Sequence, residues 1–179
     1  MANSITSRED EHDRRPMAVL FVYTWDLALA LLALFGTLAP FAGGVESSTG
    51  VKELPIAAQV VAAVSSTSYA ATLLIIAMLL TRRRAWIRKT QVGTLGAAIA
   101  LAAISMIVGA LDGNGIDVIA LLVTLFFVIL DALAIIVMTD GRVVSWYDER
   151  SRIPYYVWAT LALWVAGSAV IIVVGAVLR

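Results

Sequence analysis

Five stretches of this chain, each of about 20 residues or more, are almost free of charge, and that feature limits the fold more than any other. They fall at about 17–38, 55–80, 92–111, 116–138 and 154–178. A helix of about 20 apolar residues crosses a hydrocarbon core about 30 Å thick. Each stretch is therefore read as a transmembrane helix, and the fold class as all-α, an integral membrane bundle of five helices. Composition agrees, because 61% of the residues are hydrophobic and only 15% are charged, against about 45–50% and about 25% in soluble domains.

The breakers sit between the spans. Pro16, Pro55 and Pro154 stand at helix starts, where a missing N–H costs nothing, and Pro40 follows the end of the first span. Gly141 is placed to act as a left-handed stop after the fourth span. The third span is the least hydrophobic and a re-entrant segment is conceivable, but it is long enough to cross. Its hydroxyls, Thr94 and Ser105, are expected to bond the backbone one turn back. The domain division is a polar tail at 1–16 followed by a single five-helix domain at 17–179. The tail is mixed in charge and the apolar run after it is too long for a signal-peptide core, so the first span is expected to be retained.

Basic residues give the orientation. Eleven of the 13 Lys and Arg lie in the tail, in the loop with Arg82, Arg83, Arg84, Arg88 and Lys89, and in the loop with Arg142, Arg150 and Arg152. Only Lys52 and Arg179 fall on the other side. This asymmetry over short loops places the N-terminus in the cytoplasm and the C-terminus outside, and a plasma membrane location is expected. The segment 41–54 reads as an external loop bearing Gly and Ser, and Asp112–Gly115 as a tight external turn. In the segment 143–153, Val143, Trp146, Tyr147 and Arg150 recur at helical spacing. It is either a short interfacial helix or an ordered loop with two aromatic anchors. No internal repeat stands out.

Two carboxyls lie within spans, Asp26 and Asp131. Each is about 12–13 Å from the cytoplasmic end of its helix at about 1.5 Å per residue, so the two are expected at one level. At helical spacing Asp26 shares a face with Tyr23, Ala30 and Ala33, and Asp131 with Ala120, Thr124 and Ala134. Small and hydroxyl neighbours are suited to faces turned toward protein. Tyr69 and Thr72 on the second span supply hydroxyls near that depth. The expected polar cluster is Asp26, Asp131, Tyr23, Tyr69, Thr72 and Thr124. With no Lys or Arg in the spans, both carboxyls cannot ionise cheaply. They are either neutral hydrogen-bonding groups that hold helices together or a proton or cation route. A snorkelling Arg from a partner subunit is a further way to satisfy them.

Arg82, Arg83, Arg84, Arg88, Lys89 and Trp146 form a candidate contact for lipid headgroups or an acidic partner. The simpler role of that loop is to fix topology. Small-residue stripes recur, with Ala58, Ala62, Ser66 and Ala70 on the second span, Ala63, Thr67 and Ala71 beside them, and Gly93 with Ala97 and Gly96 with Ala100 on the third. Such stripes allow helices to associate closely in lipid. Two of them on the second span point to one being used by another subunit.

The remaining searches are negative. There are no cysteines, and His12 in the tail is the only histidine. No phosphate-binding glycine loop, metalloprotease helix or serine-nucleophile motif is present. Asp112 and Asp117 with Asn114 make an incomplete calcium shell, and Asp117 is expected to cap the fourth helix. No cofactor, no metal and, with a net charge of zero, no nucleic acid is expected. The function expected is a non-enzymatic multi-pass protein, an accessory or structural subunit packing against other membrane proteins or itself. The alternative is a small proton- or cation-linked channel or transporter built on Asp26 and Asp131. A lipid-modifying enzyme is the weakest of the three readings.

Overall fold

The computed structural model describes residues 17–42, 45–47, 50–52, 55–111 and 118–178. Nine elements follow one another among these: α1 (Met17–Gly36), α2 (Ala39–Ala42), β1 (Val45–Ser47), β2 (Gly50–Lys52), α3 (Ile56–Leu79), α4 (Ala85–Leu111), α5 (Val118–Thr139), α6 (Gly141–Trp146) and α7 (Tyr155–Leu178). Five of the helices are long and apolar enough to span a membrane. They are α1, α3, α4, α5 and α7, in the places where the charge-free stretches put them. The tail 1–16 and the turn with Asn114 and Asp117 lie outside the described residues.

Three local readings are revised. α4 begins at Ala85, well before Val92. Hydropathy fades there because of Arg88 and Lys89, yet Trp86, Ile87, Gln91, Thr94 and Leu95 are all buried on one side of the helix. Lys89 is exposed and Arg88 reaches the Met138 carbonyl of α5, so neither charge ends the helix. The connection expected as a loop contains an antiparallel pair, with Val45 opposite Lys52 and Ser47 opposite Gly50. Gly141 is not a left-handed stop. It opens α6, whose N-cap Asp140 accepts a bond from the Arg142 amide at 2.9 Å.

The five long helices close a ring in the order α1, α3, α7, α4, α5 and back to α1, and α3 makes the most extensive packing, against α7 and α1. Its small residues explain why. A Cβ built on Gly167 of α7 would stand 2.7 Å from the Ser65 Cβ, so the two helices touch almost backbone to backbone. Ser65 then bonds the Trp164 carbonyl and the Ser168 hydroxyl, each at 3.0 Å. On the other side Ser66 donates to the Ala33 carbonyl at 2.7 Å. The stripe through Ser66 thus faces α1, and Ser65 beside it faces α7.

Inward-facing Val22, Ala30, Leu73, Ile76, Leu95, Ala134 and Met138 fill the ring. Outward-facing Leu31, Phe35, Ile104, Phe126, Ile136 and Val173 are exposed. This inside-out distribution of large apolar side chains is compatible with lipid as the surrounding solvent.

One end of the ring carries the basic loops and is tied together there. Tyr147 donates its hydroxyl to the Leu80 carbonyl at 2.8 Å, satisfying an orphan acceptor past the end of α3. Ala85 donates to the Glu149 carbonyl and Glu149 to the Arg83 carbonyl, both at 3.0 Å. Of the segment 143–153 only the first residues are helical, and Val143, Trp146 and Tyr147 are buried in the core.

Candidate functional site

Two neighbouring residues of α1 address two different helices. Successive helical positions are about 100° apart, so Trp25 and Asp26 point in different directions from one turn. Trp25 donates its indole N–H to Oδ1 of Asp131 on α5 at 2.8 Å. Asp26 accepts from Nε2 of Gln91 on α4 at 2.6 Å. Asp26, Gln91 and Thr94 are fully buried and Asp131 is nearly so, at 5% exposed. The two carboxyls are linked through consecutive residues of α1, since Trp25 holds Asp131 and Asp26 is held by Gln91.

The polar centre is incompletely satisfied. Asp26 Oδ2, Gln91 Oε1 and Thr94 Oγ1 are buried and have no hydrogen-bond partner. Thr94 therefore does not bond the backbone one turn back, as its sequence context suggested. An unpaired buried polar group costs about 1–3 kcal/mol, so three in one region call for a physical explanation.

The other expected members of the cluster are placed as follows. Thr72 is fully buried and donates to the Ser68 carbonyl at 2.8 Å, so its hydroxyl is spent within α3. Thr124 likewise bonds the Ala120 carbonyl at 2.8 Å, about two turns from Asp131. Tyr23 is half-buried against the core. Tyr69 stacks on Trp164 with ring centroids 4.3 Å apart, which ties α3 to α7.

The candidate headgroup contact is divided in the structure. Arg82 and Lys89 are exposed. The Arg83 guanidinium lies 5.6 Å from the Trp146 ring centroid, within cation–π distance. Arg84 pairs along the backbone with Glu149. Arg88 donates Nη1 to the Met138 carbonyl at 3.4 Å in the last turn of α5, a favourable place for a cation. Trp146 is buried, edge-on to Tyr147 at 4.8 Å. Its ring contacts protein, not the boundary of the bundle.

Sequence reasoning passed over Gln91, Trp25 and Thr94 as members of the centre. Gln91 fell outside the expected third helix. The periodic run Trp86, Ile87, Gln91, Thr94, Leu95 is the signal that would have extended the helix and turned Gln91 inward. Among the described residues no group of three or more His, Cys, Asp or Glu is placed to hold a metal. Compared with known proteins, the chain matches no family model, no curated protein and no solved structure.

Proposed function

We propose that this protein is a non-enzymatic, multi-pass membrane subunit that associates through the outer face of α4 with a partner membrane protein or a second copy of itself. One observation carries the reading. Gly93, Ala100, Ile104, Ile107 and Leu111 are exposed on one side of α4. A Cβ on Gly93 or Gly96 would meet nothing within 4 Å. Within the chain, then, neither glycine is needed for packing, unlike Gly167. A small-residue strip left open on an apolar helix is suited to close approach by another helix. The buried carboxyls support a packing role too, since each is bonded to a side chain of another helix.

The test is a contrast between fold and association. Gly93→Leu and Gly96→Leu are expected to leave the unfolding transition of the monomer unchanged or slightly raised, because leucine favours helix over glycine by up to about 1 kcal/mol. The same changes should weaken association, read as chemical crosslinking in native membranes. Crosslinking that is unaltered by both would remove the proposal.

The orientation proposed for this subunit follows the basic residues, with the basic end of the ring in the cytoplasm and the hairpin connection outside, in the plasma membrane. Because the chain has no cysteines, single cysteines at Arg82 and Glu46 are clean probes. An impermeant thiol reagent applied to intact cells is expected to label position 46 and to spare position 82. Equal labelling of both from outside would reject this topology.

A further inference from the structure

We propose that Asp26 is a proton-binding site, in which a proton on Oδ2 is shared with the side-chain carbonyl of Gln91. The grounds are a count of hydrogens. A carboxyl and a primary amide facing one another form a closed pair of two hydrogen bonds. The first is present, from Gln91 Nε2 to Asp26 Oδ1 at 2.6 Å. The second would join Asp26 Oδ2 and Gln91 Oε1, which are both buried and without partners. Both are acceptors, and neither brings a hydrogen if the carboxyl is ionised. Thr94, one turn along α4 from Gln91, adds a third buried and unpartnered oxygen. Its hydroxyl is bonded to neither of the other two, so it does not supply the missing hydrogen. One added proton completes the carboxyl–amide pair.

Among the described residues no cation is hydrogen-bonded to Asp26. α5 brings Asp131 and α3 brings Tyr69, side chains that carry no positive charge. On α4, Arg88 directs Nη1 to the Met138 carbonyl, and Lys89 is exposed. The only titratable side chains of α7 among the described residues are Tyr155 and Tyr156, both exposed at its start. Binding is a simple transfer from water: Oδ2 gains a proton, the carboxylate loses its charge, and the new O–H donates to Gln91 Oε1. The second of the two hydrogen bonds between α1 and α4 is thereby made conditional on a proton. This does not depend on how the protein associates.

The experiment is infrared spectroscopy of the full chain in lipid nanodiscs at neutral pH. A carboxylic-acid C=O band that shifts in D2O is expected in the wild type. Its Asp26 component should vanish in Asp26→Asn and persist in Asp131→Asn. In Gln91→Leu it should remain but move to higher frequency, since the bond to the amide carbonyl is gone. That second variant keeps the test alive if Asp26→Asn fails to fold. No acid band in the wild type, or an Asp26→Asn spectrum unchanged in this region, would overturn the proposal. So would loss of the band when sodium replaces choline at constant pH, which would assign the three oxygens to a metal cation instead.

Discussion

Gly167→Leu is expected to detach α7 from the bundle. Even a single carbon at this position would stand 2.7 Å from Ser65 Cβ, 3.1 Å from its Oγ and 3.4 Å from its Cα. The nearest neighbour is thus a short side chain on a helical backbone, with no flexible end that can swing away. Relief requires the helices to separate. Separation would also break the Ser65 bonds to the Trp164 carbonyl and the Ser168 hydroxyl and part the Tyr69–Trp164 stack. Overpacking alone costs about 1–3 kcal/mol, and the lost polar bonds add about 1 kcal/mol or less each in a membrane setting. The sum is a large share of the stability of a small bundle. Gly175→Leu on the same helix is the control, because a Cβ there meets nothing within 4 Å. Detergent-driven unfolding, followed by tryptophan fluorescence, should show a much lower midpoint for the first variant and little change for the second. Similar midpoints for the two would mean that α7 does not depend on this contact.

The helices were legible because a hydrocarbon-length apolar run is a long-range signal, readable without knowing what it packs against. Their pairing was only partly so. The stripe through Ser66 marked a close contact correctly in kind, but nothing in the sequence says that α3 would be gripped on both sides, by Gly36 of α1 and Gly167 of α7. The depth argument placed Asp26 and Asp131 at a similar level, and both are buried in the structure. Their partners stayed hidden for two reasons. Trp25 reads as one more apolar residue until its indole N–H is given a direction. Gln91 sits next to Arg88 and Lys89, where hydropathy marks the end of a span although the helix continues. The boundary of an apolar run is a statement about solvent. The boundary of a helix is a statement about backbone hydrogen bonds, and at Ala85 the two differ by about two turns.

Removing one member of the Asp26–Gln91 pair should cost more than removing both. Gln91→Leu leaves a fully buried carboxyl with no donor, and Asp26→Leu leaves a buried amide with no acceptor, each expected to lose about 1–3 kcal/mol. The double variant Asp26→Leu/Gln91→Leu puts two apolar side chains where two polar ones faced each other. Its loss should be no greater than that of either single change, because no polar group is left stranded. The coupling should therefore be at least as large as one single change, on the order of 1–3 kcal/mol. The same cycle on Trp25 and Asp131 is expected to show a smaller coupling, because Trp25 is only half-buried and water or a rotated neighbour can replace the lost bond. Reversible unfolding in mixed micelles measures both cycles. Strict additivity at Asp26 and Gln91 would mean that the 2.6 Å bond contributes nothing that each side chain does not contribute alone. A cost in the double variant equal to the sum of the singles would remove the polar centre as a reason for the α1–α4 contact. Only the non-additive result is consistent with a pair that was buried together, and whose stability rests on every hydrogen between them being in place.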